Sequence, residues 1–359
     1  IIITLMQNLP LLANILETSF TQASQRQLKP RDYDIKPSTL LYGGAKVGKS
    51  ALALFVAKNY KKPIYVDATD WRLPLDALFK FLPSFAQDYG ADLLILKHPP
   101  KDSPLPTLPT LLIQRDTSNT PEGFKQQAIS PLSFSEFVHF CNKDPAALLA
   151  RFLKEGNLPE MLALSSHEKM LKKQALFTLE FGAQTPLFKA ILPFQAKSLS
   201  TNHLYTQLKK QLKISKDTLY RFLASLQANQ MLLSIPTEKG YPKLYFYDFS
   251  LPYTFSYSHP LPPVFENMIA LELARFFGLS TLTSLSSVLR IQTNQRAYCF
   301  LPLAFPTQEQ LEYSLPLLLK KIPADPLFCI SLNPLPFSCK LPCTLCDFLT
   351  FCLKILPTL

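Results

Sequence analysis

Thr39-Leu40-Leu41-Tyr42 is a short apolar run suited to a buried strand, and it leads straight into Gly43-Gly44-Ala45-Lys46-Val47-Gly48-Lys49-Ser50. Over residues 51–60, Leu52, Leu54, Phe55, Val56 and Tyr60 recur at helical spacing. Strand, Gly-x4-Gly-Lys-Ser and helix in that order are a phosphate-binding loop together with the context it requires. The residue types follow from the chemistry. Glycines let the backbone bend so that successive amide hydrogens converge on phosphate oxygens. The new helix adds its positive N-terminal end. Lys49 is placed to reach the β and γ phosphates, and the Ser50 hydroxyl to ligate Mg²⁺. The chain has nine glycines, and three fall within these eight residues, so a chance match in a Gly-rich loop is a poor explanation. The expected contact set is Gly43, Gly44, Ala45, Lys46, Val47, Gly48, Lys49, Ser50 and Ala51, with ATP or a related nucleoside triphosphate as ligand and Mg²⁺ as its ion.

Three further apolar runs follow: Pro63-Ile64-Tyr65-Val66-Asp67, Leu93-Leu94-Ile95-Leu96 and Thr110-Leu111-Leu112-Ile113. Strands alternating with helices predict a parallel sheet covered on both faces. In phosphate-loop ATPases one such strand ends in an Asp that holds Mg²⁺, often followed by a Glu that orients water. Here the third strand runs into Leu96-Lys97-His98-Pro99-Pro100, with no carboxylate over residues 93–100. A charged Lys97 cannot ligate a metal, and His98 before two prolines reads as a solvated loop residue. Asp67 is the best substitute carboxylate but comes one strand early, while Asp70 and Asp92 read as turn and cap residues. The expectation is nucleotide binding with weak or absent hydrolysis.

At 359 residues the chain is too long for one ordinary core, and two or three domains are expected. Apolar residues at 47% and charged residues at 18% exclude a disordered chain. The formal charge of +11 favours polyanionic partners, although a generally basic proteome accounts for it equally well. The 32 prolines are scattered over short turns, and no low-complexity linker or internal repeat stands out. Residues 1–16 read as an apolar packing helix rather than a leader, and no uninterrupted apolar stretch of about twenty residues predicts a membrane span. The seven cysteines are odd in number and unevenly placed, which does not suit a disulfide framework and points to the cytoplasm.

Several segments resemble a family of bacterial and archaeal AAA-type ATPases, in which a P-loop domain is followed by a winged helix and a C-terminal domain similar to restriction-type nucleases. The resemblance runs over about residues 9–333. Tyr42 to Ser50 looks like the family's loop, with Lys46 near its basic position, and Tyr65-Val66-Asp67 with Asp70 and Arg72 is similar to its second strand. Pro131-Leu132-Ser133-Phe134-Ser135-Glu136-Phe137 closely matches a segment typical of the group. Phe152-Leu153-Lys154-Glu155-Gly156-Asn157-Leu158-Pro159-Glu160, Pro242-Lys243-Leu244-Tyr245-Phe246-Tyr247-Asp248 and Phe265-Glu266-Asn267-Met268-Ile269-Ala270-Leu271-Glu272-Leu273 match further signatures. The departures cluster on hydrolysis: Lys97-His98 replaces the family's Asp-Glu, Gln114-Arg115-Asp116 replaces a Gly-Ser-Ser turn, and Lys125-Gln126-Gln127 replaces a Gly-Arg. Gln114 or Arg115 is the candidate sensor of the γ-phosphate. The resemblance therefore implies a degenerate member of the family.

In the middle of the chain, residues 202–212 and 218–228 read as two helices, with Met231-Leu232-Leu233-Ser234-Ile235 and Leu244-Tyr245-Phe246-Tyr247 as wing strands. Lys209, Lys210, Lys213, Lys216 and Arg221 are the candidate DNA-phosphate contacts; a winged helix used only for packing is the competing reading. In the C-terminal part, Glu266 and Glu272 sit six residues apart on a helix, but residues 279–302 contain no Asp or Glu to complete a nuclease site. Cys339, Cys343, Cys346 and Cys352 lack the paired spacing of a zinc site and read as reduced thiols. The fold expected is α/β: a P-loop parallel-sheet domain over 1–145, a helical lid and winged helix over 146–250, and an α+β, nuclease-like shell over 251–359. The function expected is an ATP-binding switch or assembly module. The alternatives are an active ATPase working on DNA through the winged helix, and an interaction protein whose loop binds nothing.

Overall fold

The computed structural model describes residues 21, 28–238, 240–257, 259–338 and 341–359. The helix expected at residues 1–16 and Cys339 lie outside the described residues. The chain divides into two compact units: one ends at Ser130 and takes in Ala228–Gln230, and the other comprises Pro131–Gln227 and Met231–Leu359.

The first unit is a parallel α/β layer structure. Strands β1 (Thr39–Tyr42), β2 (Pro63–Asp67), β3 (Leu93–Lys97), β4 (Thr110–Ile113) and β5 (Lys125–Ala128) form one sheet in the order β2-β3-β4-β1-β5. All its pairings are parallel, with Leu40 beside Leu112 and Gln126, and Leu96 beside Val66 and Leu112. Helix α1 (Lys49–Ala57) packs on β3 and β4. Helix α2 (Leu75–Tyr89) covers the other face, where Leu78, Phe79, Leu82 and Ala86 meet Leu40, Ile64, Val66, Leu94, Leu96 and Leu112. Alternate strand residues thus serve opposite faces, and strands buried on both faces read as the continuous apolar runs seen in the sequence. β5 is the exception. Its Lys-Gln-Gln-Ala sequence lies at the sheet edge with two exposed residues, so no apolar run announces it.

In the second unit, α3 (Phe134–Cys141), α4 (Pro145–Glu155), α5 (Ser166–Phe181) and α6 (Thr185–Ile191) precede α7 (Thr201–Leu208) and α8 (Lys216–Ala228). β6 (Leu232–Ile235) and β7 (Lys243–Phe246) then pair antiparallel. After α9 (Leu251–Phe255) and α10 (Leu261–Phe277) comes a second sheet. It holds β8 (Leu282–Leu285), β9 (Val288–Gln292), β10 (Ala297–Pro302), β11 (Leu327–Ser331) and β12 (Thr344–Asp347), in the order β12-β11-β10-β9-β8. β10, β11 and β12 run parallel, whereas β9 is antiparallel to both its neighbours. Helix α11 (Gln308–Leu319) links β10 to β11. Among the described residues no helix is long and apolar enough to cross a membrane.

The signature segments of the second unit are tied to one another. Leu132 N–H donates to the Asn157 carbonyl at 2.9 Å. Phe134 N–H donates to Glu272 Oε1 at 2.8 Å, and Arg275 pairs with Glu136 at 2.6 Å and donates to the Pro131 carbonyl at 2.9 Å. Asn267 on α10 extends the hairpin's bonding: its Oδ1 accepts from Phe246 N–H at 2.8 Å, and its Nδ2 donates to the Phe246 carbonyl at 3.0 Å. These bonds tie Pro131 onward into the second unit.

Gly156 sits at the tightest point. Lys173, 2% exposed, donates to Asp248 Oδ2 at 2.5 Å, Ser250 Oγ at 2.8 Å and the Glu155 carbonyl at 2.7 Å. A Cβ on residue 156 would overlap Asp248 Oδ1 and Ser250 Oγ and stand 2.8 Å from Lys173 Nζ, and φ there is +81°. Breaking a buried ion pair costs about 3–5 kcal/mol. Gly156→Ala is expected to lower unfolding free energy by about 3 kcal/mol or more, read from urea titration, because the added methyl prises that pair apart.

Candidate functional site

β1 and its neighbour β4 send the chain in opposite directions: α1 carries it from β1 to the far edge strand β2, while the chain after β4 passes to the other side of β1. In an open α/β sheet the crevice beyond the carboxyl ends of two such strands is where ligands bind. The residues 43–48 follow β1 there, and Gln114 and Arg115 follow β4. Gln114 N–H donates to the Leu41 carbonyl at 3.0 Å, and Gly43 N–H to the Arg115 carbonyl at 3.2 Å, so the two chain segments are laced together.

Backbone geometry accounts for the glycines. Gly43 has φ +138°, and a Cβ there would stand 2.5 Å from the Ile129 carbonyl oxygen. Gly48 has φ +96° and is the left-handed residue before α1. Lys46, exposed and at φ +64°, is bent the same way without a glycine's freedom. Helix α1 has no side-chain cap and no acidic residue in its first turn, so its positive end is not neutralised from within the helix. Lys49 is the first residue of that helix, and its Nζ donates to the carbonyls of Gly43 at 2.6 Å and Gly44 at 2.7 Å. The ammonium is thereby drawn back over the loop. Ser50 and Ala51 follow in the same first turn.

Two residues that sequence reasoning missed brace this loop. Arg31 donates from Nη1 to the Val47 carbonyl at 2.8 Å and from Nη2 to the Ser130 carbonyl at 2.9 Å. Tyr33 Oη accepts from Ser130 N–H at 3.0 Å, and the Arg31 guanidinium lies 5.2 Å from the Tyr33 ring centroid. Arg31-Asp32-Tyr33 has no recognisable spacing, and its role depends on contacts almost a hundred residues away.

The carboxylates near the carboxyl edge are engaged locally. Asp67 pairs with Lys97 Nζ at 2.6 Å and accepts from the Thr69 hydroxyl at 2.6 Å. Burial alone would push this carboxyl up, but Lys97 and Thr69 outweigh it and hold Asp67 below the ordinary carboxylate range. Asp70 takes a bidentate grip from Arg72, which lowers it to about 2. Asp116 accepts from the Ser118 N–H and hydroxyl. Asp92 accepts from the amides of Lys61 and Lys62, at the far end of the sheet. Gln114 is 8% exposed and directs its amide to the Asn119 carbonyl at 3.4 Å, whereas Arg115 is exposed. His98 is not the solvated residue its setting suggested. It is half-buried at φ +52°, and burial, Lys97, Arg115 and Lys49, opposed only by Asp67, bring its imidazole down to about 4.

In the second unit Glu266 accepts from Lys243 Nζ at 2.9 Å and from the Tyr245 hydroxyl at 2.5 Å. Glu272 is buried against the start of α3. The two carboxylates therefore serve different neighbours. Cys299, Cys329, Cys346 and Cys352 are buried free thiols; burial pushes Cys299 up to about 11 and Cys346 to about 12. Among the described residues no three His, Cys, Asp or Glu side chains are grouped to hold a metal ion.

Burial raises Glu272 to about 7, against the Phe134 amide and Arg275, which lower it, and with Glu136 raising it further. Between the ordinary value of 4.5 and about 7 the folded chain keeps a proton that the unfolded chain loses. Folded stability from this group is thus complete below 4.5 and is lost as pH rises through about 7. Glu272→Gln is expected to remove about 2–3 kcal/mol of that pH dependence between pH 5 and 8 in urea titrations compared with the wild type.

No family model and no curated protein matches the sequence. Among solved structures, a Signal Transduction ATPase with Numerous Domains (STAND) protein with a tetratricopeptide repeat sensor, from Pyrococcus horikoshii, aligns at 15% identity with a TM-score of 0.29. The alignment covers 68% of this chain and 45% of that one, so the chain spans less than half the length of that protein. At that TM-score the likeness carries no argument about this chain's site.

Proposed function

We propose that this chain binds ATP or a related nucleoside triphosphate at residues 43–51 and acts as a nucleotide-dependent switch or assembly module of the AAA type, with hydrolysis weak or lost. The observation that carries the reading is Lys49 Nζ held on the Gly43 and Gly44 carbonyls, at the uncapped start of α1, in the crevice between β1 and β4. Converging amides, a helix terminus and one ammonium at a topological switch point suit a polyphosphate and little else. Gln114 and Arg115, laced to the loop from β4, are the proposed monitors of the terminal phosphate. Among the described residues there is no carboxylate cage for Mg²⁺, so the ion would arrive on the phosphates with the Ser50 hydroxyl as its protein ligand. Among the described residues Asp67 and Asp116 are engaged by Lys97 and Ser118, and this favours binding over turnover.

The proposal extends to organisation and place: a nucleotide domain over 1–145, a lid and winged helix over 146–250 and a nuclease-like shell without a nuclease site over 251–359, in a cytoplasmic protein. The alternative is an active ATPase working on DNA. Its supporting observation is the helix pair α7 and α8 with the β6–β7 hairpin, on which Lys209, Lys210, Lys213, Lys216 and Arg221 are exposed and Asp217 is the only acid over residues 201–230.

Titration calorimetry with ATP and Mg²⁺ is expected to give saturable binding at one site, and Lys49→Ala to abolish it. Ligand at 100 times Kd raises stability by about 2.7 kcal/mol, so the wild type and not the variant is expected to gain in thermal shift. Turnover is expected well below about 1 per second, the lower end of ordinary enzyme rates; a faster rate that Lys49→Ala removes would favour the DNA-linked ATPase instead.

A further inference from the structure

We infer that His98 reads the terminal phosphate of the bound nucleotide, its imidazole contacting that phosphate beside Lys49 and Arg115. The inference rests on the nucleotide reading above and gives it a specificity: triphosphate over diphosphate.

The position of His98 is built, not incidental. It directly follows β3, and its N–H donates to the Ile113 carbonyl of β4 at 2.8 Å. From there Gln114 bonds to Leu41 of β1, and Arg115 accepts from Gly43. A continuous set of backbone bonds thus links His98 to the first glycine of the loop across two strand spacings, about 9.6 Å. His98 is left-handed at φ +52°, a conformation that residues with a side chain adopt at a cost and that gathers at ligand sites. Pro99 comes next and restricts it further.

Its surroundings complete the argument. Among the described residues, the charged groups that act on it are Lys97 on its own strand, Asp67 on β2, Arg115 after β4 and Lys49 at the start of α1. Asp67 is already paired with Lys97, and Lys97, Arg115 and Lys49 each lower the imidazole. Burial first, and then these cations, keep the ring neutral at physiological pH. A terminal phosphate brings a charge of about −1.5 to −2. Set beside His98, it makes the imidazolium favourable, so binding draws a proton onto the ring. A diphosphate ends one group short and leaves the ring as it was. Binding of ATP, but not of ADP, is then linked to protonation of His98 and strengthens as pH falls from 8 to 6.

The test compares wild type, His98→Asn and His98→Gly, since Asn tolerates the left-handed region and Gly is free in it. Calorimetry with ATP or ADP, each with Mg²⁺, is run at pH 6 and pH 8 in two buffers of different ionisation heat. The phosphate itself titrates near pH 6, so the readout is the difference between wild type and variants. In the wild type, ATP is expected to take up a further fraction of a proton at pH 6. In both variants that uptake disappears, the preference for ATP over ADP falls about tenfold, and ADP affinity stays within about twofold. Equal proton uptake and equal ATP-to-ADP preference in all three proteins would overturn the inference while leaving nucleotide binding intact. No binding of either nucleotide by the wild type would overturn both.

Discussion

The Ile129 carbonyl oxygen lies 2.5 Å from where a side chain on residue 43 would begin, and much of the first unit depends on that approach. It exists because β1 is flanked by β4 and β5, with Leu41 beside Ile113 and Gln127. Ile129, just after β5, leaves no room for a Cβ where β1 ends. A glycine there lets the chain turn at φ +138°, and Gly48 lets it turn again into α1. Between the two turns the loop curls around its own carbonyls, and Lys49 bridges back to them. Arg31 and Ser130 close the arrangement from the other side. These bonds brace the loop and hold the Lys49 ammonium against it.

Charge is what the proposed reading, holding rather than cutting, draws on in this crevice. Lys97 stands where a metal-holding carboxylate would serve hydrolysis, and its ammonium engages Asp67, the next available acid. Asp70 and Asp116 are occupied by Arg72 and Ser118. Among the described residues, Lys49, Arg115 and a neutral His98 accompany these engaged acids. In the proposed reading such a set holds a polyphosphate without activating water. The second unit shows a parallel economy: Glu266 and Glu272, at positions that suggest metal ligands, instead hold Lys243, Tyr245 and the Phe134 amide.

Much of the loop and its sheet was legible from residue type alone. β1 to β4 are apolar on both faces and stand out as runs, and the Gly-x4-Gly-Lys-Ser spacing fixes what must lie between β1 and α1. β5 was hidden because an edge strand needs no apolar run, and Lys125-Gln126-Gln127 has none. The sequence reading gave Lys97 no partner and placed His98 in solvent. The Lys97–Asp67 pair and the burial of His98 depend on register between strands thirty residues apart, which one sequence does not encode locally. For the same reason the matched segments at Pro131, Gly156, Asp248 and Asn267 could be picked out singly, while their mutual bonding could not. Gly156 was visible only as a motif letter; its necessity lies in Asp248 and Lys173, far along the chain.

The account stands on the backbone amides at residues 43–51 receiving a polyphosphate. Hydrogen exchange resolved to single amides, with and without saturating ATP and Mg²⁺, observes that event directly. The account predicts slowed exchange concentrated from Gly43 to Ala51, with smaller effects at His98 and Arg115 and none along β8 to β12. Unchanged exchange across the loop, or protection that appears only elsewhere, would contradict it.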